Sequence, residues 1–200
     1  MHKWVIASSN PGKIADYHAL LSKAPIQLIP QSQFSMPTIE ETGLSFVENA
    51  LLKARHASVI TNLPALGDDS GLVVEDLLGA PGLYSARYAG QYATDQQNIE
   101  KLLQALDEIP NASRKAKFYA VIVFMRYPAD PAPIICEGTW EGQILKAPRG
   151  KNGFGYLPVF YCPFFQKSGA ELSTEERTQV NHRGKACREL LKRYSQEYTE

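Results

Sequence analysis

Residues 4–21 read WVIASSNPGKIADYHALL, and the order of residue types within them decides the fold class. Trp4–Ala7 is short, apolar and rich in β-formers. Ser8-Ser9-Asn10-Pro11-Gly12-Lys13 is a turn-forming run, and from Ile14 to about Leu21 the apolar spacing is helical. The chain therefore opens strand, loop, helix. Working outward, Gln27–Ile29 reads as a second strand. Residues 30–43, with Pro, Ser, Thr and a glutamate pair, read as loop. Phe46, Ala50, Lys53, Ala54 and Ala57 fall at helical spacing between Ser45 and Ile60, and Ser45 with Glu48 forms a capping-box pattern. Ala65-Leu66 reads as a short strand cut off by Gly67-Asp68-Asp69-Ser70-Gly71, with an extended pattern resuming at Leu72–Val74.

Residues 79–93 are loop-rich, and Thr94 to Leu106 is a helix with Thr94 and Gln97 in capping positions. Phe118–Tyr127 is the strongest strand, a run of β-branched and aromatic residues, and Ile134–Leu145 is its partner. Residues 147–158 are Gly-rich. The C-terminal stretch from about Thr174 to Tyr194 is helical, with Ser173 and Glu176 as a capping box and His182-Arg183-Gly184 as an interruption. Strands and helices alternate first and a β-rich stretch follows, so the expected fold is α/β with a mixed sheet. Without repeats or a composition break, residues 1–200 read as a single domain.

Composition narrows the function. Of 200 residues, 44% are hydrophobic and 21% charged, enough apolar matter for one core and too little charge for wholesale disorder. Basic and acidic residues balance at 21 each, which argues against a grip on polymeric nucleic acid through the overall field. Cys136, Cys162 and Cys187 are widely spaced and form no CxxC, so neither a disulfide framework nor a structural zinc site is expected. They read as free thiols in a reducing compartment. Ala120–Met125, with Tyr119 beside it, is the longest apolar run and is far short of a membrane span. Met1–Ala7 runs straight into a strand pattern with no signal-peptide character. The expectation is a soluble cytoplasmic protein.

The chemistry concentrates in loops. Ser8–Lys13, between a strand and a helix, is expected to present backbone N–H groups and the Lys13 charge to phosphate. The pattern matches neither GxxxxGK[ST] nor GxGxxG, so an ordinary strand–helix turn fits it as well. Asp68-Asp69 in a strand-end loop suits Mg²⁺, or proton abstraction from water, and also suits an Asx turn. Glu40 and Glu41 are a second carboxylate pair ahead of a helix, where the dipole alone favours negative charge. The glycines of Gly150–Gly155, with Phe154 and Tyr156, suit stacking on a flat base or packing of the loop on its own core. His182-Arg183 can bind phosphate or a keto oxygen, or lie on a solvated helix face. Together these describe a nucleotide site with Mg²⁺ bridging the phosphates.

The chain resembles the HAM1-like (Maf/HAM1 superfold) inosine/xanthosine triphosphate pyrophosphatases. The resemblance rests on ASSNPGK at Ala7–Lys13, EETGLSFVENALLKA at Glu40–Ala54 and DDSGLVVEDLLGAPGLYSARYAG at Asp68–Gly90. GFGY at Gly153–Tyr156 and AELSTEERTQVNHRGKA at Ala170–Ala186 complete it. It implies a mixed, elongated central sheet with flanking helices and two lobes around a nucleotide cleft, usually as a homodimer. It also implies Mg²⁺-dependent cleavage between the α and β phosphates of inosine and xanthosine triphosphates and their deoxy forms. Under the resemblance, Ser8, Ser9, Asn10, Pro11, Gly12 and Lys13 cradle the triphosphate, and Lys53 adds a second cation. Asp69 is the general base or the ligand orienting the water, and Ser70 touches substrate. Asp69 with Glu40 or Glu41 holds Mg²⁺, and Asp68 assists from nearby. Phe154, Gly155, Tyr156 and the position of Leu157 form the base pocket, Arg177 contacts phosphate, and His182 and Arg183 read the base. An Arg donor facing the 6-keto oxygen of hypoxanthine or xanthine would reject adenine, whose amino group is itself a donor. Guanine shares that keto oxygen, so Arg183 alone does not discriminate against it.

The chain departs from the family pattern at three positions. Leu157 stands where the family has aspartate, Arg177 where it has lysine, and Asn181 where it has serine. Arginine keeps the charge with altered geometry, and asparagine keeps hydrogen bonding. Leucine keeps neither charge nor hydrogen bond, so weakened base selectivity or reduced affinity, with retained chemistry, is expected. Three rival readings remain: a pyrophosphatase of the same superfold for modified pyrimidine nucleotides, a nucleotide-binding module without catalysis, and a hydrolase using Cys187 as nucleophile.

Overall fold

The computed structural model describes residues 1–198. Its opening is β1 (His2–Ala7) followed by α1 (Pro11–Leu21). The helix starts at Pro11 rather than Ile14. Asn10 caps it, its side chain accepting from Gly12 and Lys13 backbone N–H at 2.9 and 3.1 Å, and Pro11 occupies the first turn where no N–H is needed. β2 (Ile26–Pro30) and α2 (Phe46–Thr61, capped by Ser45) follow as the pattern predicts.

β3 is where sequence and structure part. It is one strand, Ala65–Val74, running through the stretch read as a break. Gly67 lies in that strand without positive φ. A Cβ there would overlap the Ala50 carbonyl oxygen and stand 2.8 Å from Ala54 N, so the glycine admits α2 against the strand instead of turning it.

The remaining elements are α3 (Asp95–Asp107), β4 (Lys115–Met125), β5 (Ile134–Ile144), β6 (Phe160–Cys162), β7 (Lys167–Ser168), α4 (Thr174–Val180) and α5 (His182–Tyr198). Of the three expected capping boxes, Thr94/Gln97 and Ser173/Glu176 are formed, whereas at α2 Ser45 caps Glu48 N and the Glu48 carboxylate accepts from the Ser45 hydroxyl instead of its backbone N–H. The C-terminal interruption falls at Asn181, which is extended, so His182 and Arg183 open α5 rather than break it. β6 and β7 are too short to carry a periodic signal. The sheet order is β2-β1-β3-β4-β5-β6-β7. β1 pairs parallel with β2 and β3, while β6 is antiparallel to β5 and β7, so the sheet is mixed. Flanking helices complete the α/β architecture.

Two compact units divide the chain. The first comprises residues 1–69, 120–138 and the segment from His182 onward. Its β1 is buried on both faces. Trp4 and Ile6 pack with Tyr17 of α1, Leu66 of β3 and Leu190 of α5, whereas Val5 and Ala7 pack with Ala57 of α2 and Ala65 of β3. The second unit comprises 70–119 and 139–181. Leu72, Leu102, Trp140, Val159, Phe160 and Leu172 form its core.

In the first unit, Gly138 on β5 does for α5 what Gly67 does for α2. A Cβ at Gly138 would overlap the His182 carbonyl oxygen and lie 2.9 Å from Ala186 N. Because the overlapped atoms are backbone, Gly67→Ala and Gly138→Ala should each lower stability by about 1–3 kcal/mol or more. A drop in the urea midpoint at unchanged m-value checks this.

Candidate active site

Alternation along β3 sends its adjacent aspartates to opposite faces. Asp68 shares a face with Leu66, toward α1 and α5. Asp69 shares one with Ala65 and Gly67, toward α2. Two neighbouring carboxylates read as a joint metal site therefore serve two separate environments.

On the first face Asp68 is buried, ion-paired with Lys13, and accepts from the Tyr17 hydroxyl at 2.6 Å and Arg183 Nε at 3.1 Å. Arg183 also reaches Asp16 Oδ2 at 3.3 Å through a terminal nitrogen. Burial alone would push the Asp68 carboxyl up, but the Lys13 and Arg183 charges outweigh it and hold it well below the usual carboxylate range. Lys13 is lowered, by burial first, with Asp68 only partly compensating. Asp16 and Tyr17 belong to this cluster and were not singled out from sequence. Their three- and four-residue offsets from Lys13 within a helix were the available signal.

On the second face Lys53 Nζ donates to Asp69 Oδ1 at 2.9 Å and to Glu41 Oε1 at 3.2 Å. Burial raises the Asp69 carboxyl, and Lys53 offsets this only in part. For Lys53, burial is outweighed by Asp69 and Glu41, so its pKa rises. Asn49, buried on α2, builds this arrangement. Its amide oxygen accepts from Gly43 N at 2.8 Å and its nitrogen reaches the Gly43 carbonyl and Asp69 Oδ2, each at 3.4 Å. It thereby ties the loop carrying Glu41 to the strand carrying Asp69. Glu40, by contrast, is exposed.

The donor set fits a hard divalent cation, since two carboxylates, Glu41 and Asp69, converge on one position. Among the described residues, no three His, Cys, Asp or Glu side chains group as a metal site. Mg²⁺ commonly completes its shell with water and substrate phosphate, so a carboxylate pair suffices.

Ser8–Lys13 differs from expectation in one respect. The Gly12 and Lys13 N–H groups are already taken by Asn10, and Ser8 Oγ accepts from Asn10 N at 3.2 Å. Asparagine is among the best N-caps, and here it occupies the donors expected to meet phosphate. Ser9, Asn10 and Pro11 are exposed, and Gly12 and Lys13 are half-buried. His182 and Arg183 are buried at the start of α5 and do not form a solvated helix face.

The second unit holds the other expected residues. Ser70 opens it and is half-buried. Tyr156 is a core residue whose hydroxyl donates to the Ser85 carbonyl at 2.8 Å, so of the two aromatics Phe154 is the more exposed. Gly155 N donates to Asp95 Oδ2 at 2.6 Å. Leu157 is buried, and its methyl groups fill the space where Cβ atoms at Gly153 and Gly169 would stand. A Cβ on Gly153 would also lie 3.4 Å from an Arg177 terminal nitrogen, so two of the three family departures meet at that glycine. The three cysteines are free and buried, and burial pushes the Cys187 thiol up to about 12. The thiol is thus protonated near neutral pH, which deprives the cysteine-nucleophile reading of its nucleophile.

These features define a mixed-sheet α/β protein with paired lysine–aspartate centres in one unit and an aromatic glycine loop in the other. The chain belongs to the Ham1 family, whose sequence pattern matches residues 4–193. It is 52% identical over 186 residues to the dITP/XTP pyrophosphatase of Coxiella burnetii, covering 93% of each chain. The solved HAM1 protein from Coxiella burnetii superposes with a TM-score of 0.91 at 50% identity, covering 98% of this chain and 100% of that one. The Staphylococcus aureus Ham1 protein gives 0.86 at 40% identity, covering 98% and 99%.

Two outcomes follow. His182 has its pKa pushed well below the imidazole value, by burial first and then by Arg183. The unfolded chain therefore takes up that proton first as pH falls. The stability His182 contributes is full above about pH 6.5 and lost below it, so His182→Gln should flatten the decline of the urea midpoint between about pH 7 and pH 5. Leu157→Asp places a carboxylate in an apolar niche and should lower Tm, read by differential scanning calorimetry, before any change in base preference is scored.

Proposed function

We infer that the protein hydrolyses non-standard purine nucleoside triphosphates, dITP/ITP and XTP/dXTP, to the monophosphate and pyrophosphate. It would thereby keep deaminated purines out of DNA and RNA. The observation that carries this reading is the convergence of Glu41 and Asp69 on one cation position, held by the Lys53 ammonium at 3.2 and 2.9 Å. Family membership and the names of the relatives support it.

Glu41, rather than Glu40, and Asp69 would hold Mg²⁺, which when bound neutralises polyphosphate charge and polarises the reacting phosphoryl group. Asp69 orients the attacking water and accepts its proton. Lys13 and Lys53 bring positive charge to the polyphosphate, with the Ser8 and Ser9 hydroxyls and the Asn10 carboxamide as hydrogen-bonding partners. Arg177 and Ser70 are assigned to substrate as well. Arg183 is clamped by Asp68 and Asp16, so the donors it offers a 6-keto oxygen are fixed in direction. His182 is assigned beside it. Base stacking falls to Phe154, while Tyr156 and Gly155 anchor its loop to Ser85 and Asp95.

Residues 1–200 are read as one functional domain, because β3, β4 and β5 each contribute to both units. Balanced charge supports a small-molecule substrate rather than polymeric nucleic acid. No helix among the described residues is long and apolar enough to cross a membrane. A cytoplasmic homodimer is the assembly the family resemblance favours.

Pyrophosphate release with Mg²⁺ from ITP, XTP, dITP, GTP and ATP tests the reading. Fast release is expected from the first three, falling by about 10²-fold or more in Asp69→Asn. Equal turnover of GTP would place a selectivity loss at Leu157. No pyrophosphate from any nucleotide would replace the reading with a binding module.

A further inference from the structure

Lys53 bonds to the two carboxylates assigned to metal, and not to open solvent where a phosphate would find it. Its side chain is 12% exposed, that of Asp69 9% and that of Glu41 33%. Two carboxylates held this close repel one another, and in a partly buried site the repulsion is large unless a cation stands between them. The ammonium supplies that cation. Its backbone cannot move readily, because α2 is seated on β3 at Gly67, through the Ala50 carbonyl and Ala54 N. Its four-carbon stem can, since lysine carries a point charge on rotatable bonds. Asn49 holds the Glu41 loop to Asp69 independently of Lys53, through Gly43. The carboxylate pair therefore stays assembled when the ammonium leaves.

We propose that Lys53 is the resident occupant of the cation position between Glu41 and Asp69, and that a divalent cation entering there displaces its ammonium toward the polyphosphate. This rests on the reading of Glu41 and Asp69 as metal ligands. Lysine and metal compete for the same oxygens, so without nucleotide the site binds metal weakly. A polyphosphate that draws the ammonium away tightens metal binding, and by reciprocity metal strengthens the Lys53–phosphate contact. Lys53 thus couples the two ligands, so that neither alone completes the site.

The test is Mn²⁺ binding without nucleotide, followed by the electron paramagnetic resonance of the free ion, in wild type, Lys53→Met, Lys53→Arg and Glu41→Gln. Lys53→Met should bind Mn²⁺ at least about 5-fold more tightly than wild type. Lys53→Arg, which keeps a cation in place, should remain weak. Equal or weaker binding in Lys53→Met, including no detectable binding in either protein, overturns the proposal. Unchanged binding in Glu41→Gln overturns the metal-site reading itself, separately from the role of Lys53. If Lys53→Met is poorly folded, thermal unfolding decides instead: Mn²⁺ should raise its Tm by more than it raises that of wild type, and an equal or smaller rise rejects the competition.

Discussion

Successive side chains of a β-strand point to opposite faces, and this period of two organises the first unit. Asp68 and Asp69 are neighbours in sequence and occupy different environments. One faces α1 and α5, the other α2. Each holds a lysine, Lys13 or Lys53, in an ion pair. The separation works only because helices approach the sheet closely on both faces, which Gly67 and Gly138 permit.

The two aspartates differ electrostatically for the same reason. Asp68 is enclosed by Lys13, Arg183 and the Tyr17 hydroxyl, so its charge is fully compensated and its carboxyl stays ionised. Removing one partner of such a buried pair costs about 3–5 kcal/mol, because the other charge is left uncompensated. Asp68 is therefore a scaffold for two cations. Asp69 has one close cation shared with Glu41, and burial raises its carboxyl. One strand thus supplies one carboxylate held firmly ionised and another whose proton affinity is raised.

In the second unit the same family motifs are met by different residues. Leu157 closes the space over Gly153 and Gly169, and Arg177 lies over Gly153. A buried apolar side chain replaces an expected carboxylate, and the loop is anchored instead by Gly155 on Asp95 and Tyr156 on Ser85.

The α/β class, the mixed sheet, most helix boundaries and two of the three capping boxes were legible in the sequence, since local periodicity and cap chemistry act within a few residues. The motifs Ser8–Lys13, Glu40–Ala54 and Asp68–Gly90 were legible as those of the Ham1 family, whose pattern matches residues 4–193. The break read into Gly67–Gly71 was not a break. A glycine that relieves a turn and one that admits a helix look alike in one dimension, and only the helix decides between them. The pairing of Lys53 with Glu41 rather than Glu40, the use of Asn10 as a cap, and the gathering of Asp16, Tyr17 and Asn49 around the aspartates depend on residues brought together by chain crossings. The sequence by itself determined which chemical groups are present and on which elements they ride. The tertiary structure decided which of them face each other, because charge pairing and desolvation act through space over a few ångströms, whatever the separation along the chain.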